Sequence, residues 1–269
     1  MKINFIKMQA CGNDYIYFFN PFKTEDELKK FAVFASDRRF GIGGDGIIAI
    51  ESSARADIKT VMYNADGSRG AICGNGVRCA AFFAEKYAET AENFVTAETD
   101  CGIVGVTLTD IKAHSCTAQA AMPTPREYIS PQKVANALFS AGLKTDKSDI
   151  FAIDAGNKHL VIFGGEKSAE FIAKKAEECG LFIGGVNVER CEETARGAKV
   201  EVYERGSGYT FACGSGAVAV AKALSLRRGG DEFEIIMRGG TLWVTLTEDG
   251  ALLKGEVKEV FEGSVDYEI

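Results

Sequence analysis

Two cysteines begin the same short motif, Cys-Gly-X-Gly, at two places in the chain. The first motif starts at Cys73 and the second at Cys213, and each leads into an apolar run typical of a buried helix. Glycines at such a turn let a ligand approach the backbone N–H groups closely. The start of a helix presents unpaired N–H groups and the positive end of its dipole, which favour a bound carboxylate. The same setting favours a thiolate, so we expect the pKa of both thiols to be lowered towards neutrality.

A thiolate and a thiol on opposite sides of one carbon atom can invert its configuration. The thiolate removes a proton from one face, and the thiol returns a proton to the other. A carboxylate held at the helix starts carries the charge of the carbanion that forms between these two steps. A single motif of this kind is better explained as a packing turn, because most buried cysteines are inert. Two matching copies favour a catalytic pair.

The similarity between the two parts of the chain extends beyond these motifs. Tyr63 and Tyr203 each stand ten residues before the motif cysteine, so both residue types recur at an offset of 140. The pair Gly12–Asn13 recurs as Gly156–Asn157, at an offset of 144. Landmarks in one order at nearly one offset indicate an internal duplication. We therefore expect two pseudo-symmetric halves with the active site in the cleft between them.

Short strand-like runs outnumber helical runs in both halves, and this mixture predicts an α+β fold with much antiparallel pairing. The segment Met122–Pro125 holds two of the four prolines and marks the clearest break. We place the N-terminal half at residues 1–117, completed by 262–269, and the C-terminal half at 118–261. Five helices are predicted, at Glu25–Ala35, Val77–Tyr87, Ser130–Ala141, Ser168–Cys179 and Ala217–Leu226.

The composition limits the kinds of partner. The chain has 31 basic and 38 acidic residues and a pI near 5.1, which argues against a nucleic-acid partner. Its apolar runs are too short for a secretory signal or a membrane span, so we expect a cytoplasmic protein without a membrane partner. The eight cysteines include no Cys-X-X-Cys pair, and only two histidines accompany them, so no metal site is expected.

Several longer segments resemble the diaminopimelate epimerase family, from residue 3 to about residue 263. They include Met8–Tyr15, the glycine-rich segment Asp37–Gly46, both cysteine motifs with the tyrosines before them, and the closing segment Val260–Gly263. The resemblance implies that family's fold, an isomerase that uses no pyridoxal phosphate or other cofactor, and a homodimer. It implies conversion of the small-molecule substrate LL-diaminopimelate to meso-diaminopimelate, in lysine and peptidoglycan biosynthesis.

The same resemblance implies roles for individual residues. Cys73 and Cys213 correspond to the two catalytic cysteines, and His159 to a histidine near the reacting centre. The neighbouring residues Glu204 and Arg205 suit two parts of such a substrate. The carboxylate can bind a substrate ammonium, and the guanidinium can bind a distal carboxylate through two parallel hydrogen bonds. The substrate-binding positions correspond to Asn13, Asn64, Asn157, Asn187, Glu204 and Arg205, and the backbone donors for the reacting carboxylate to Gly74, Asn75, Gly214 and Ser215.

Two departures from the family pattern leave other functions open. Lys158 stands where the family's Gly-Asn-Pro-His sequence has proline, and the residues around Asn187 also differ. One alternative is therefore a racemase of another amino acid, such as histidine, on the same scaffold. An alternative of another class is a non-catalytic relative that binds a small molecule, although the presence of both cysteines argues against it.

Overall fold

A computed structural model describes residues 1–70, 73–88 and 93–268 of the chain. The chain folds into two compact units: Met1–Ala120 with Gly255–Ile269 forms the first, and Ala121–Lys254 forms the second. The division into 1–117 with 262–269 and 118–261 stays a prediction, and residue 269 lies outside the described residues.

The first unit is a sheet with one helix packed against each of its faces. In chain order its elements are β1 (Lys2–Ala10), β2 (Asn13–Phe19), α1 (Glu25–Ser36), β3 (Gly46–Glu51), β4 (Ile58–Asn64), β5 (Arg69–Gly70), α2 (Gly74–Tyr87), β6 (Phe94–Thr99), β7 (Gly102–Thr109) and β8 (Ser115–Met122).

The second unit repeats this order of elements after an additional strand and helix. Its elements are β9 (Arg126–Ile129), α3 (Pro131–Ser140), β10 (Ile150–Asp154), β11 (Lys158–Phe163), α4 (Ala169–Glu178), β12 (Asn187–Glu193), β13 (Gly197–Glu204), β14 (Gly208–Tyr209), α5 (Gly214–Arg228), β15 (Glu232–Met237), β16 (Gly240–Leu246) and the start of β17 (Ala251–Asp266), whose residues from Gly255 onward belong to the first unit.

Strand pairing follows the same pattern in both units. In the first, β1 and β2 are antiparallel, β2 and β3 parallel, β3 and β4 antiparallel, and β4 and β6 parallel. In the second, the corresponding pairs β10–β11, β11–β12, β12–β13 and β13–β15 have the same directions. Parallel pairs alternate with antiparallel ones along this series. The further pairs β6–β7, β7–β8, β15–β16 and β16–β17 are antiparallel, as the prediction of much antiparallel pairing requires.

Alternating side chains explain how one sheet supports two helices. Along β2, Tyr15 and Tyr17 belong to the apolar cluster around α2, whereas Ile16 and Phe18 belong to the cluster around α1. Successive residues of a strand point to opposite faces, so a continuous apolar run buries both faces. Both clusters therefore hold the strand that begins at Asn13.

The helices α2 and α5 are buried on nearly every side. Residues 75–84 of α2 are buried, as are residues 216–221 of α5. A helix that is apolar all round needs such an interior position. Both helices begin at the first glycine of the Cys-Gly-X-Gly motif, earlier than the sequence predicted, so Cys73 and Cys213 occupy the N-cap positions.

The five predicted helices are all present, and the fold is rich in sheet. Within the described part of the chain, none of the helices is long and apolar enough to cross a membrane.

Candidate active site

Cys73 caps the N-terminus of α2 with its sulfur. The backbone at this residue is extended, with φ −130° and ψ 116°, and the Gly76 N–H donates a hydrogen bond to Sγ over 3.3 Å. The thiol donates to Asn13 Oδ1 at 3.1 Å. The sulfur therefore lies at the positive end of a buried helix, with an amide oxygen of a predicted site residue beside it.

A network of charged residues fixes the orientation of the Asn13 amide. Its Nδ2 donates to Asp45 Oδ2 at 2.7 Å, so Oδ1 is left facing the Cys73 sulfur. Arg38 joins Asp45 to Asp14 by hydrogen bonds of 2.9 and 2.6 Å. Burial raises the pKa of Asp14, but hydrogen bonds from Arg38 and Lys7 outweigh it and lower the pKa overall. Sequence analysis missed Asp45, which follows the Gly-Gly pair of the resembling segment.

The other predicted residues of the first unit lie close to these elements. Asn64 ends β4 and donates to Ser68 Oγ at 2.9 Å. Gly74 and Asn75 are the first residues of α2, where the helix leaves backbone N–H groups without an internal acceptor. Asn75 is buried, and its Oδ1 accepts a hydrogen bond from Arg78 Nη2 at 2.9 Å.

Cys213 occupies the N-cap position of α5 with nearly the same backbone conformation, φ −127° and ψ 118°. Its environment differs, because only 7% of the residue is exposed. Burial and the negative charges of Glu204 and Glu189 raise the pKa of this thiol well above its ordinary value. The expectation of a lowered pKa is therefore wrong for Cys213, since desolvation and two carboxylates outweigh the helix dipole.

A buried hydrogen-bonded series lies next to Cys213. His159 Nδ1 is 2.7 Å from Glu189 Oε1, and His159 Nε2 is 3.0 Å from Ser215 Oγ. Ser215 Oγ is in turn 3.5 Å from Cys213 Sγ. His159 and Glu189 are both fully buried.

Sequence analysis missed Glu189, although the strand pattern contains a signal for it. Glu189 stands two residues after Asn187 on β12, so both side chains point to the same face. In the parallel pairing of β11 with β12, Asn187 is the partner of His159. The sequence alone could therefore have placed the Glu189 carboxylate on the same face of the strand as Asn187. It could not have shown that this carboxylate is buried.

Asn187, Glu204 and Arg205 form hydrogen bonds at the turn after β13. Asn187 Oδ1 accepts the Arg205 N–H at 2.9 Å, and Arg205 Nη1 donates to Gly184 O at 2.6 Å. Glu204 Oε1 accepts from Thr210 Oγ1 at 2.6 Å, and burial raises the pKa of Glu204.

Each unit thus gathers its own set of predicted residues. The first unit places Asn13 against Cys73. The second joins His159 and Ser215 to Cys213, and Asn187 to Arg205. Asn157 lies exposed in the turn between β10 and β11, where its Oδ1 accepts the Lys158 N–H at 3.0 Å, without a hydrogen bond to the others.

One group of described residues has the donor types of a metal site. Donor atoms of His159, Glu189 and Cys213 lie within 4.8 Å of one another. Both ring nitrogens of His159 already face hydrogen-bond partners, so neither offers a lone pair to an ion without breaking a contact. The arrangement suits proton transfer better than metal binding.

Known sequences match this chain over nearly its whole length. A sequence model of the diaminopimelate epimerase family matches residues 5–123 and 151–260. A diaminopimelate epimerase of Leptospira biflexa is 35% identical over 282 residues, covering 99% of this chain and 100% of that protein. One from Bacillus cytotoxicus is 35% identical over 291 residues, covering 100% and 99%.

Solved structures share the fold at low sequence identity. A "Predicted Epimerase" from Pseudomonas aeruginosa has a TM-score of 0.74 and 13% identity, covering 99% of this chain and 100% of that one. A phenazine biosynthesis protein of the PhzF family from Bacillus anthracis has a TM-score of 0.71 and 16% identity, with the same coverage. Because the family match and the full-length relatives agree with the predicted resemblance, this chain belongs to the diaminopimelate epimerase family and is an isomerase.

Proposed function

We propose that this protein converts LL-diaminopimelate to meso-diaminopimelate, for lysine and peptidoglycan biosynthesis, with Cys73 and Cys213 as its two acid–base groups and without pyridoxal phosphate. The observation that carries the proposal is the matching position of the two cysteines. Each is the N-cap of a buried helix, with nearly the same φ and ψ. The repeated order of elements supports an origin of the two halves by duplication.

The two thiols differ in a way that suits opposite roles. The raised pKa of Cys213 keeps its proton on sulfur at neutral pH, so it serves as the acid of the pair. Cys73 accepts the Gly76 N–H at the helix start, which stabilises negative charge on its sulfur. In this mechanism Cys73 removes the α-proton from one face, and Cys213 protonates the other.

The substrate carboxylate needs donors that act when charge develops at the α-carbon. We assign this role to the backbone N–H groups of Gly74 and Asn75 in α2 and of Gly214 and Ser215 in α5. These groups lie in the first turn of each helix, where the helix itself supplies no acceptor, and the helix fixes their positions before substrate binds.

Recognition of the second amino-acid group is assigned to the asparagines and to Arg205. Asn187 holds the backbone of Arg205, and Gly184 O holds one guanidinium nitrogen, so the side chain is oriented while remaining exposed. Asn64 and Asn157 complete this proposed set. Glu204 would accept a hydrogen bond from the substrate ammonium.

Deuterium wash-in across a panel of free amino acids tests the proposed substrate. The protein is incubated in D2O with LL- or meso-diaminopimelate, histidine and other amino acids, without pyridoxal phosphate. We expect deuterium at the α-carbon of diaminopimelate only. Exchange confined to histidine would support the alternative racemase, and no exchange with any amino acid would support a binding protein.

We also propose a homodimer, because the first unit exposes large apolar side chains beside a groove. Phe19 is 52% exposed and lines this groove together with Phe18 and Phe83. Phe261, which packs edge-on against Phe5, is 45% exposed. Light scattering should give a dimer mass for the wild type and a monomer mass for Phe19→Lys, and a monomeric wild type would contradict the proposal.

A further inference from the structure

Glu189 is a fully buried carboxylate to which the proposed mechanism gives no role. Its Oε1 lies 2.7 Å from His159 Nδ1, and its Oε2 has no hydrogen-bond partner among the described residues. Burying a carboxylate is costly unless a partner compensates for the lost hydration. A residue at this position therefore needs a reason beyond packing.

The first unit shows what packing alone requires at this position. A Cβ placed on Gly76 of α2 would lie 2.6 Å from Ile48 Cδ1, and one placed on Gly216 of α5 would lie 2.5 Å from Glu189 Oε1. Ile48 on β3 and Glu189 on β12 thus pack against the same point of corresponding helices. The aliphatic side chain of Ile48 is sufficient for packing in the first unit. We therefore infer that the carboxylate of Glu189 has a chemical role in the second.

Glu189 determines which nitrogen of His159 carries a proton. An ionised carboxylate only accepts hydrogen bonds, so His159 Nδ1 must be the donor. In a neutral ring this leaves the lone pair on Nε2, which accepts the Ser215 hydroxyl at 3.0 Å. Ser215 Oγ can then accept the Cys213 S–H at 3.5 Å. The hydrogen bonds run in one direction, from Cys213 towards His159.

We propose that Glu189 is a positioning residue that holds His159 as the terminal acceptor of a proton relay through Ser215 to Cys213. The S–H proton moves to Ser215 Oγ while the Ser215 hydroxyl proton moves to His159 Nε2. The products are a Cys213 thiolate and a His159 imidazolium, whose charge Glu189 balances, and the reverse step restores the thiol.

The catalytic role of the relay rests on the proposed function, which requires Cys213 to give up its proton in one direction of the reaction. An epimerase works in both directions, so the cysteine that donates a proton in one direction must act as the base in the other. Burial and two carboxylates oppose ionisation of Cys213. Transfer of its proton to His159 provides the thiolate without exposing the sulfur to solvent. In the first unit the residue corresponding to Ser215 is Asn75, which binds Arg78 instead.

Alkylation of Cys213 tests the relay without requiring turnover. The full-length protein is treated with iodoacetamide at neutral pH, and the rate at each cysteine is measured by peptide mass spectrometry. For Glu189→Gln we expect at least a fivefold slower reaction of Cys213, with the rate at Cys73 unchanged. The exposed Glu192 on the same strand supplies the matched control, so Glu192→Gln should react at the wild-type rate.

The direction of the change separates the relay from a simple electrostatic effect. If Glu189 acted only as a nearby negative charge, its removal would favour the Cys213 thiolate and accelerate alkylation, which would overturn the proposal. Ser215→Ala breaks the relay without altering a buried charge and should also slow alkylation of Cys213. An unchanged rate in this variant would refute the relay even if Glu189→Gln failed to fold.

The same variants separate this inference from the proposed function. If the wild type epimerises diaminopimelate, kcat should fall at least tenfold in Glu189→Gln, with KM within twofold. If no amino acid is epimerised but alkylation is still slowed, the relay stands and the proposed function fails. Epimerisation at wild-type kcat in both variants would contradict the relay alone.

Discussion

The proton on Cys213 can be tested through the pH dependence of stability. A thiol whose pKa is raised in the folded state stabilises the protein fully below its unfolded pKa, and this contribution is lost as pH rises above it. The ordinary pKa is 9.0, and burial and the charges of Glu204 and Glu189 raise it well above this value. Between pH 7.5 and pH 10 the unfolded chain would ionise at residue 213 while the folded chain stays protonated.

The size of this effect follows from the unfolded pKa alone, provided the folded thiol stays protonated. At pH 10 one such thiol destabilises the folded state by about 1.4 kcal/mol relative to neutral pH. Replacement by alanine removes this dependence. The difference in free energy of unfolding between wild type and Cys213→Ala should therefore shrink by about 1.4 kcal/mol from pH 7.5 to pH 10.

Urea unfolding under reducing conditions measures the difference in free energy of unfolding between wild type and variant at each pH. The two proteins should have the same m value, so that a shift of the midpoint reports stability alone. Cys79, a buried residue of α2, is a positive control, because burial raises its pKa to about 12. Cys79→Ala should therefore show the same narrowing. If the difference for Cys213→Ala instead widened with pH, the Cys213 pKa would be lowered in the folded state, and its assignment as the resting acid would be refuted.

Three further predictions concern residues around the two cysteines. In Asp45→Ala the Asn13 amide loses the acceptor that orients it, so kcat should fall by about tenfold to a hundredfold, and unchanged steady-state kinetics would contradict this. In Gly216→Ala the new methyl group displaces Glu189, so kcat should fall. The free energy of unfolding measured in urea should decrease by about 1–3 kcal/mol. Wild-type values for both quantities would contradict the close packing. Arg78 is fully buried, and two of its guanidinium nitrogens lack hydrogen-bond partners among the described residues. Arg78→Met should therefore have a free energy of unfolding within about 1 kcal/mol of the wild-type value in the same experiment. A much larger loss of stability would contradict this prediction and reveal a compensating interaction of Arg78.

The helices and the two cysteine motifs were predictable from local sequence. Apolar runs after Cys73 and Cys213 indicated buried helices, and the glycines indicated helix starts. The sequence analysis predicted much antiparallel pairing but did not identify individual strand pairs, such as the parallel pair of β2 with β3. Periodicity shows which faces of a strand are buried but not which strands are neighbours. Register depends on contacts between residues far apart in the chain.

The charges around the cysteines were not predictable in the same way. Both motifs looked equivalent, yet the pKa of Cys213 is raised, because Glu189 and Glu204 come from different strands and converge on one buried sulfur. Likewise, Asp45 orients Asn13 across 32 residues of sequence. Local sequence identified the reactive groups, whereas the fold determined their electrostatic environment.

The fate of the α-hydrogen during inversion tests the two-cysteine mechanism most directly. LL-diaminopimelate is converted in D2O to a small extent, and the meso product and the remaining substrate are analysed by mass spectrometry. We predict one deuterium at the inverted carbon of the product, little deuterium in the remaining substrate, and no conversion by Cys73→Ala or Cys213→Ala. A product that keeps the substrate's own hydrogen, or conversion at the wild-type rate by either variant, would contradict the account.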